Sequence, residues 1–501
     1  MRNAGGDLRT RVDQVRRLLG DAHDIRCLWL YAPGSPRTRA ALIHVQGLTD
    51  RQALRRHVLA HFEPAPPPPA TGANPPEVPS SPQGRDGAGQ DVLKKLAPVE
   101  PLRPTDGQDL VDRVLSGEAL LLLETDPEPW ILRISGWKER PVPRPTTESS
   151  LRGAGEAFTE NVEVNLALVR RRLRDPRLMV EETRLGPSSR VLVALVYVRE
   201  LARPDLVREV RDRLGQVHVD AVIDASQLAE ILVGRYRTAF PLYMATERPD
   251  RAAAWLMAGK VLVMLDGSPW VVLVPVRLID FFFSVDDYYL RPAVVALLRL
   301  ARIAAWLGIV LFPALYVALE AHNVDVLRLE LMLAVDAARA GVPLNVVLES
   351  IFLIVMVELI QETAVRLPEK VGASTTIIGA LIIGEAVARA RIVSDIIIVI
   401  IAMAAIGSLT FPDREIAAAW RISSGLLLLG GAVLGLFGVF LGLMALVFHL
   451  CCLQSLGQPY LHPLAPLNLR DLRQDGLTRR YWWEMPARGP HPFVPPRRRP
   501  Q

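Results

Sequence analysis

The sequence predicts an α/β N-terminal head of two similar subdomains, followed by a C-terminal α-helical transmembrane domain. Two observations support this fold class. Strings in the first part of the chain recur in the same order, and the chain is apolar almost without interruption from Ala293 to Cys452. The 501 residues are 50% hydrophobic, with a mean hydropathy of +0.22. These values are high for a soluble protein and typical of a soluble head on a membrane base.

Three pairs of strings indicate that the head is duplicated. They are VRRLLGD (Val15–Asp21) with VRRRLRD (Val169–Asp175), ALIHVQGL (Ala41–Leu48) with ALVYVREL (Ala194–Leu201), and GEALLLLETDPEPWIL from Gly117 with GKVLVMLDGSPWVVL from Gly259. Each copy is predicted as helix, strand, helix and hairpin from its apolar spacing and its short β-rich runs. Asp266–Gly267 is a hairpin-turn signal, because glycine accepts the positive φ of a tight turn.

Composition divides the chain into six predicted segments. These are 1–63, the first part of subdomain 1; 64–90, a Pro-rich linker; 91–145, the rest of subdomain 1; 146–290, subdomain 2; 291–452, the transmembrane domain; and 453–501, a cytoplasmic tail. The linker is rich in proline, glycine and serine, so we expect it to be disordered.

The transmembrane domain is predicted to have about four spans and one re-entrant segment. The spans are Ala293–Leu319, Pro343–Val365, Ile392–Phe411 and Ser424–Leu450, since about 20 apolar residues cross a bilayer. The run IIGALIIG (Ile377–Gly384) is too short to span and is predicted to be re-entrant. The amphipathic stretch Val324–Gly341 is predicted as an interfacial helix.

The charges of the termini and loops predict the orientation. The polar N-terminus does not resemble a signal peptide, so the head is predicted on the cytoplasmic side. The positive-inside bias then favours the following grouping. Arg366, Lys370, Arg389 and Arg391 lie with the head, and Arg328, Arg339, Arg414 and Arg421 lie on the opposite side.

Three ionisable residues, Glu358, Glu362 and Arg366, are spaced one helical turn apart within the second predicted span. Charged groups in hydrocarbon are costly and usually mark an interior, a partner or an ion path. Two interpretations stay open: a polar path or gate along a pore, or a plain ion pair between Glu362 and Arg366. Glu358 lies deeper and is the stronger pore candidate. Glu349 points to the opposite face and is predicted near the outer surface.

Two further features of the membrane domain are candidates for function. Glu385 and Asp395 flank the predicted re-entrant segment, where each could line a vestibule or cap a helix. A face of small residues in the last span is predicted to let another helix approach closely, either in a second subunit or within the chain. Its members are Gly431, Gly435, Gly438 and Gly442.

Several functional classes are disfavoured. The sequence contains no HExxH, GxSxG, P-loop, CxxC or GxGxxG motif, so neither an enzyme nor a cofactor or metal site is predicted. The net charge of +5 comes without a basic stripe interleaved with aromatic residues, which disfavours nucleic-acid binding. The strings ERPD (Glu247–Asp250) and DGSP (Asp266–Pro269) are predicted to be structural, with Asp250 as a helix cap.

An ordered set of strings resembles the GerA family of spore germination proteins, the A-subunit type that includes the SpoVAF-like branch. The strings are TESSLRGAGEAFTENVEVNLALVRRRLRDPRL (Thr147–Leu178), TERPD (Thr246–Asp250), DGSP, FFFSVDDYYLRP (Phe281–Pro292), FPALYVAL (Phe312–Leu319), ELIQETAVRLP (Glu358–Pro368), IIGALIIGEAV (Ile377–Val387) and SLGQPYLHPLAPL (Ser455–Leu467). The residues that match the family motifs in the head are Arg152, Gly153, Glu156, Phe158, Glu160, Asn165, Glu247, Arg248, Pro249, Asp250, Asp266, Gly267 and Pro269.

The resemblance implies a non-enzymatic subunit of a nutrient receptor in the spore inner membrane. Its implied partners are a permease-like B subunit and a lipoprotein C subunit, and the family's members resemble oligomeric ligand-gated ion channels. The chain departs from the family pattern where His322-Asn323-Val324 replaces the usual His-Pro-Glu. A non-conducting scaffold that assembles receptor subunits and an accessory SpoVAF-like channel are the alternatives. A secondary transporter is disfavoured, because the repeat lies in the head rather than in the spans.

Overall fold

The protein is described here by a computed structural model, which covers residues 7–31, 39–65, 96, 99–136, 145, 148, 155–217, 219–234, 236–366 and 384–468. These residues form two compact units. The head comprises the described residues up to 234 together with Tyr243–Pro275. The helical unit comprises Tyr236–Leu242 and the described residues from Val276 onward.

The first subdomain of the head is a five-stranded antiparallel sheet with the strand order β3-β1-β2-β4-β5. Its strands are β1 (Ile25–Tyr31), β2 (Arg39–Val45), β3 (Glu63–Pro64), β4 (Ala119–Leu123) and β5 (Trp130–Leu132). Its helices are α1 (Leu8–Leu19), α2 (Arg51–Ala53, continued by a π-helical turn over Leu54–Leu59) and α3 (Gly107–Leu115). All five residues of β4 are buried, so this strand is central to the core.

The second subdomain repeats this arrangement with the strand order β6-β7-β9-β10-β8. Its strands are β6 (Leu178–Leu185), β7 (Val191–Val198), β8 (Met244–Thr246), β9 (Val261–Leu265) and β10 (Val271–Val274). Its helices are α4 (Val162–Arg172), α5 (Pro204–Gly215), α6 (Ala225–Val233) and α7 (Pro249–Met257). Strand β9, which matches β4 in the sequence repeat, is likewise buried throughout.

The two sheets share a four-stranded core and differ at one edge. Strands β1, β2, β4 and β5 correspond to β6, β7, β9 and β10, but the fifth strand pairs with β1 in the first copy and with β10 in the second. The predicted single strand after the first helix of each copy was wrong, because a hairpin occupies that place. Strand β6 was missed because Glu181, Glu182 and Arg184 interrupt its apolar pattern.

The helical unit contains six described helices. They are α8 (Pro292–His322), α9 (Leu329–Arg339), α10 (Val346–Arg366), α11 (residues 384–389), α12 (Asp395–Ser408) and α13 (Arg414–Cys452). Among the described residues, α8 and α13 are long and apolar enough to cross a membrane, and α12 is a shorter apolar helix of 14 residues. The predicted re-entrant run lies outside the described residues up to position 383.

Helix α13 is a hairpin of two arms rather than the single span that the sequence predicted. Gly435 has non-helical dihedrals, with φ 62° and ψ −145°. A Cβ atom at Gly442 would lie 3.1 Å from Leu427 Cδ2, and Gly438 packs directly on the backbone of Gly430. In a straight helix, residues 427 and 442 would be roughly 22 Å apart, so the chain reverses at Gly435. The arms are residues 414–434 and 436–452.

The end of α8 compensates the break in α13. A continuous helix would bond the Leu436 N–H to the Ala432 carbonyl. Here the Leu436 N–H donates to Asn323 Oδ1 at 2.9 Å, and the Ala432 carbonyl lies 2.7 Å from His322 Nε2. The imidazole must carry its proton on Nε2 to donate this bond. Two consecutive side chains thus replace the lost backbone bond, which would be costly to leave unmade in apolar surroundings.

The predicted grouping is wrong for two of the loop cations, Arg391 and Arg414. Arg391 Nη1 lies 3.6 Å from the Cβ position of Gly341, at the end of the unit where α9 ends. Phe411 packs on Phe282, with ring centroids 5.3 Å apart, close in sequence to the start of α8. Arg391 therefore shares an end with Arg339, whereas Arg414 lies at the other end, the reverse of the hydropathy-based assignment.

We predict that Gly435→Ala destabilises the helical unit. Gly435 occupies a region of φ/ψ space that is essentially restricted to glycine, which costs other residues about 1–3 kcal/mol, and its added Cβ would collide with the Asn323 side chain. The thermal unfolding midpoint of the purified full-length protein in detergent should fall. Gly425→Ala in the same helix is the control, because nothing lies within 4 Å of its Cβ position and alanine favours the helix. Equal shifts for both variants would refute the hairpin turn.

Candidate functional site

The carboxylate of Glu358 forms an ion pair with Arg421 of the first arm of α13. Arg421 Nε lies 2.5 Å from Glu358 Oε1, and Nη2 lies 3.4 Å from Oε2. The glutamate side chain is 44% exposed and the arginine 25%. The charge of Glu358 is therefore neutralised by a residue of another helix, 63 positions away in the sequence, rather than by a residue of α10.

A cavity of about 40 Å³ adjoins this pair, room for about one water molecule. Its lining includes the Glu358, Arg421 and Ser424 side chains, together with Ile309 and Pro313 of α8. Proline has no N–H, so the Ile309 carbonyl lacks its usual helical donor at Pro313. The void thus has hydrogen-bonding groups around it in an otherwise apolar unit.

The remaining members of the predicted stripe are only partly described. Glu362 is exposed on α10, and Arg366 is the last residue of that helix, but its side chain is outside the described residues. The alternative of a Glu362–Arg366 ion pair therefore stays open. Glu385 pairs with Arg389 one turn later at 2.5 Å, and their side chains are 55% and 79% exposed. Glu385 thus lies in a surface ion pair of α11.

Glu349, at the start of α10, is fully buried. Its Oε1 lies 3.0 Å from Arg339 Nη2, and its Oε2 accepts the Ser394 backbone N–H at 2.8 Å. Arg339 Nη1 also lies 2.6 Å from Glu320 Oε1. These contacts tie the ends of α8, α9, α10 and α12 together. Sequence reasoning missed this cluster, because its members come from four elements and no local spacing links them.

A second missed cluster neutralises the arginines near the start of α8. Asp287 is fully buried and forms a bidentate pair with Arg302 at 2.8 and 3.0 Å. Arg299 Nε lies 3.5 Å from the same carboxylate, and its guanidinium lies over the Phe283 ring. The string FFFSVDDYYLRP therefore supplies the counter-charge that lets two arginines lie in an apolar helix.

The C-terminal string beginning SLGQPY joins two separated segments of the helical unit. Ser455 Oγ donates to the Leu242 carbonyl at 2.7 Å and accepts the Val276 N–H at 3.1 Å. The Tyr460 carbonyl accepts the Leu278 N–H at 2.8 Å. Burial raises the pKa of the Tyr460 hydroxyl well above its usual value, so this side chain stays neutral.

The predicted glycine face of α13 packs within the chain. A Cβ at Gly431 would lie 2.9 Å from the Ala314 carbonyl oxygen and 3.3 Å from Ala318 Cβ, both in α8. Gly438 and Gly442 face the opposite arm of the hairpin, and Gly435 forms the turn. The four glycines therefore do not form one continuous helical face, because the helix that would align them is broken.

The family-motif residues at the start of subdomain 2 fix the loop before α4. Asn165 is fully buried and bonds both the N–H and the carbonyl of Thr159, at 2.7 and 2.6 Å. Asp266 Oδ1 accepts the Val162 N–H at 3.1 Å, and the Gly267 N–H donates to the Glu160 carbonyl at 2.7 Å. The hairpin turn of DGSP, in which Gly267 has φ 95°, thus holds the helix start.

The remaining motif residues in the head are likewise in structural contacts. Phe158 is buried and donates its N–H to the Glu247 carbonyl at 2.7 Å. Arg248 forms a bidentate pair with Asp250 at 3.0 and 2.6 Å. Asp250 is therefore a counter-ion inside the first turn of α7 rather than its N-cap, which is Arg248. Three residues complete the set: Glu156 pairs with Arg172 at 2.8 Å, Pro249 begins α7, and Pro269 follows the turn. Arg152 and Gly153 are outside the described residues.

The two subdomains of the head meet at a buried ion pair. Arg170 of α4 binds Asp24 of subdomain 1 through two bonds of 2.7 and 2.9 Å, and both side chains are 1% exposed. The same guanidinium donates to the Leu178 carbonyl at 2.8 Å. This satisfied network fixes how the two repeats pack within the head.

The chemistry of the head favours a structural role. Burial raises the pKa of Cys27 to about 11, which keeps the thiol protonated and weakly nucleophilic at neutral pH. Hydrogen bonds from Arg211 lower the pKa of Glu181, and burial together with the bond to Glu181 raises the pKa of Tyr197 to about 12. The described residues contain no group of three or more metal-ligating side chains that could hold an ion.

We predict that Asp24→Asn strongly destabilises the head. Removing one partner of a buried ion pair costs about 3–5 kcal/mol, because the other charge stays buried without compensation. Scanning calorimetry of the full-length protein should show a lower midpoint. Asp205→Asn is the control, since Asp205 and its partner Arg208 are 68% and 67% exposed and such pairs contribute little. A midpoint equally unaffected by both substitutions would contradict the role assigned to Asp24.

Comparison with known proteins identifies the family. A family model described as Bacillus/Clostridium GerA spore germination protein matches residues 13–491. The chain is 31% identical over 471 residues to spore germination protein GerLA of Bacillus cereus, covering 94% of this chain and 92% of GerLA. It is 29% identical over 477 residues to spore germination protein KA of Bacillus subtilis (strain 168), covering 95% of this chain and 85% of that protein.

Among solved structures, the chain is similar to the N-terminal domain of the A subunit of the Bacillus megaterium spore germinant receptor GerK3. The identity is 22% and the TM-score 0.38, over 54% of this chain and 94% of that one. The family assignment rests on the sequence matches, which extend through the head and the helical unit. The chain belongs to the GerA family of spore germination proteins.

Proposed function

We propose that this chain is the A subunit of a spore germinant receptor, and that its helical unit contributes to an oligomeric path for cations that opens when a nutrient is sensed. Family membership along nearly the whole chain supports the receptor role. The proposed partners are a permease-like B subunit, a lipoprotein C subunit and further copies of the chain. The proposed location is the spore inner membrane, with the head on the cytoplasmic side.

The observation that carries the cation path is the uncovered face of α10. Its apolar residues Leu348, Ile351, Val355 and Leu359 are 38–57% exposed. Glu362 and the half-exposed Glu358 lie on the same helix. Copies arranged around an axis with α10 inward would line a cation path with these carboxylates.

We predict opposite effects for the two halves of the Glu358–Arg421 pair. Glu358→Gln leaves a guanidinium without its counter-charge beside the path and should slow cation release from spores exposed to germinant. Arg421→Gln leaves a carboxylate and should speed it. The double variant restores neutrality and should return towards the wild-type rate. The measurement is the initial rate of potassium release by flame photometry, at matched protein level in the spore membrane.

The control for these variants is Glu385→Gln, which removes a carboxylate from an exposed surface pair. Its release rate should equal that of the wild type. A purely structural role for the Glu358–Arg421 pair predicts loss of protein, or the same direction of change, for both single variants. That outcome would count against the path.

The main alternative is a scaffold that assembles receptor subunits without conducting ions; an accessory SpoVAF-like channel is the other. Reconstitution of the purified protein in liposomes distinguishes a conducting subunit from a scaffold. We predict that liposomes containing the purified Arg421→Gln protein release trapped potassium faster than liposomes containing the Glu358→Gln protein, as measured with an external potassium electrode. Release no faster than from empty liposomes for wild type and both variants would favour the scaffold.

A further inference from the structure

A partly open cavity of about 300 Å³ lies between α8, α9 and α12. This is at the lower end of the range for small-molecule pockets. Its walls are almost entirely aliphatic and aromatic. They include Phe312, Leu315 and Leu319 of α8, Leu331 and Val335 of α9, and Ile400 of α12. The cavity is separate from the Glu358–Arg421 pair, none of whose residues lines it.

Two polar groups in the cavity wall lie one turn apart on α8. Tyr316 and Glu320 both line the cavity, and their i, i+4 spacing places them on one face of the helix. The Tyr316 hydroxyl is buried, with the Ser394 side chain as its polar neighbour. Within the same described residues, Glu320 bonds Arg339 through Oε1 only, which leaves Oε2 to accept a further donor. The polar part of the wall can therefore accept hydrogen bonds.

The charges beside this polar part of the wall do not balance. Arg339 bridges two carboxylates, those of Glu320 and Glu349, whose side chains are 15% and 0% exposed. One guanidinium cannot neutralise two carboxylates, so this three-residue cluster carries an excess of one negative charge. An excess charge in apolar surroundings favours a counter-ion. The cavity thus combines a long apolar volume with a negative end.

From these features we propose that the cavity binds an organic ammonium ion with an aliphatic chain. The ammonium group donates to Glu320 Oε2 and to the Tyr316 hydroxyl and neutralises the cluster. The aliphatic chain fills the space between α8, α9 and α12. A fatty anion is disfavoured by the carboxylates, and a neutral chain leaves the charge excess of the cluster in place. The proposal concerns binding alone, so it holds whether or not the chain conducts ions.

The test is photolabelling of the full-length protein in phosphatidylcholine nanodiscs, with a primary alkylamine that carries a diazirine in its chain. Mass spectrometry should locate the label on the cavity segments of α8 and α9. n-Octylamine should compete at least tenfold better than n-octanol, which has the same chain without the charge, because charge-assisted hydrogen bonds contribute about 1.5–3 kcal/mol. Label confined to exposed residues outside the cavity such as Phe437, or equal competition by the alcohol, would overturn the proposal.

Substitutions at the cavity test the proposed ammonium site further. Glu320→Gln leaves Arg339 paired with Glu349, so the cluster becomes neutral, and the tenfold preference for octylamine over octanol should disappear. Leu331→Trp at the cavity wall should abolish labelling inside the cavity. Leu333→Trp is its matched control, because Leu333 is 56% exposed on the same helix and does not line the cavity. An unchanged amine preference in Glu320→Gln would refute the assigned ammonium site.

Discussion

The helical unit depends on one constraint: in apolar surroundings, every charge and every broken backbone hydrogen bond must be compensated by another part of the chain. Helix α8 shows this constraint near its start, at its middle and at its contact with the α13 turn. Near its start, Arg302 is neutralised by Asp287. At its middle, the small residues Ala314 and Ala318 allow Gly431 to pack closely. At its end, His322 and the following Asn323 bond the backbone groups exposed at the α13 turn. The helices that pack on α8 are therefore positioned by polar contacts at its ends and by small side chains at its middle.

The helical unit was predicted mainly from hydropathy, so the prediction has the limits of that measure. It reports the length and position of apolar segments, and it located α8 and α10 well. It carries no information on direction, so the reversal at Gly435 could not be recognised within a continuous apolar run. For the same reason Arg391 and Arg414 were assigned to the wrong ends. The ion pairs were missed for a related reason: spacing rules detect partners one turn apart, whereas Glu358 and Arg421 are 63 positions apart.

Prediction from the sequence works differently in the head, because the two copies of the repeat can be compared with each other. The matching strings correspond to buried strands such as β4 and β9, where packing restricts the residues most. Strands that are only partly buried, such as β6, are harder to recognise. The exchange of the edge strand, from beside β1 to beside β10, has no counterpart in the matched strings. The Asp24–Arg170 pair between the copies cannot arise from either copy alone, so no repeat analysis can reveal it.

Two carboxylates of α10, those of Glu349 and Glu358, differ in burial and therefore in how costly it is to move them. Glu349 is fully buried and is held by both Arg339 and the Ser394 N–H, so separating it would leave charges uncompensated in the interior. Glu358 lies about two and a half turns further along, is 44% exposed and has Arg421 as its partner beside a water-sized cavity. Water can replace a partner at the second site but not at the first. A rearrangement of α10 is therefore least costly at the Glu358 end, where a proposed cation path would need to change, and most costly at the Glu349 end, which holds the helix to its neighbours.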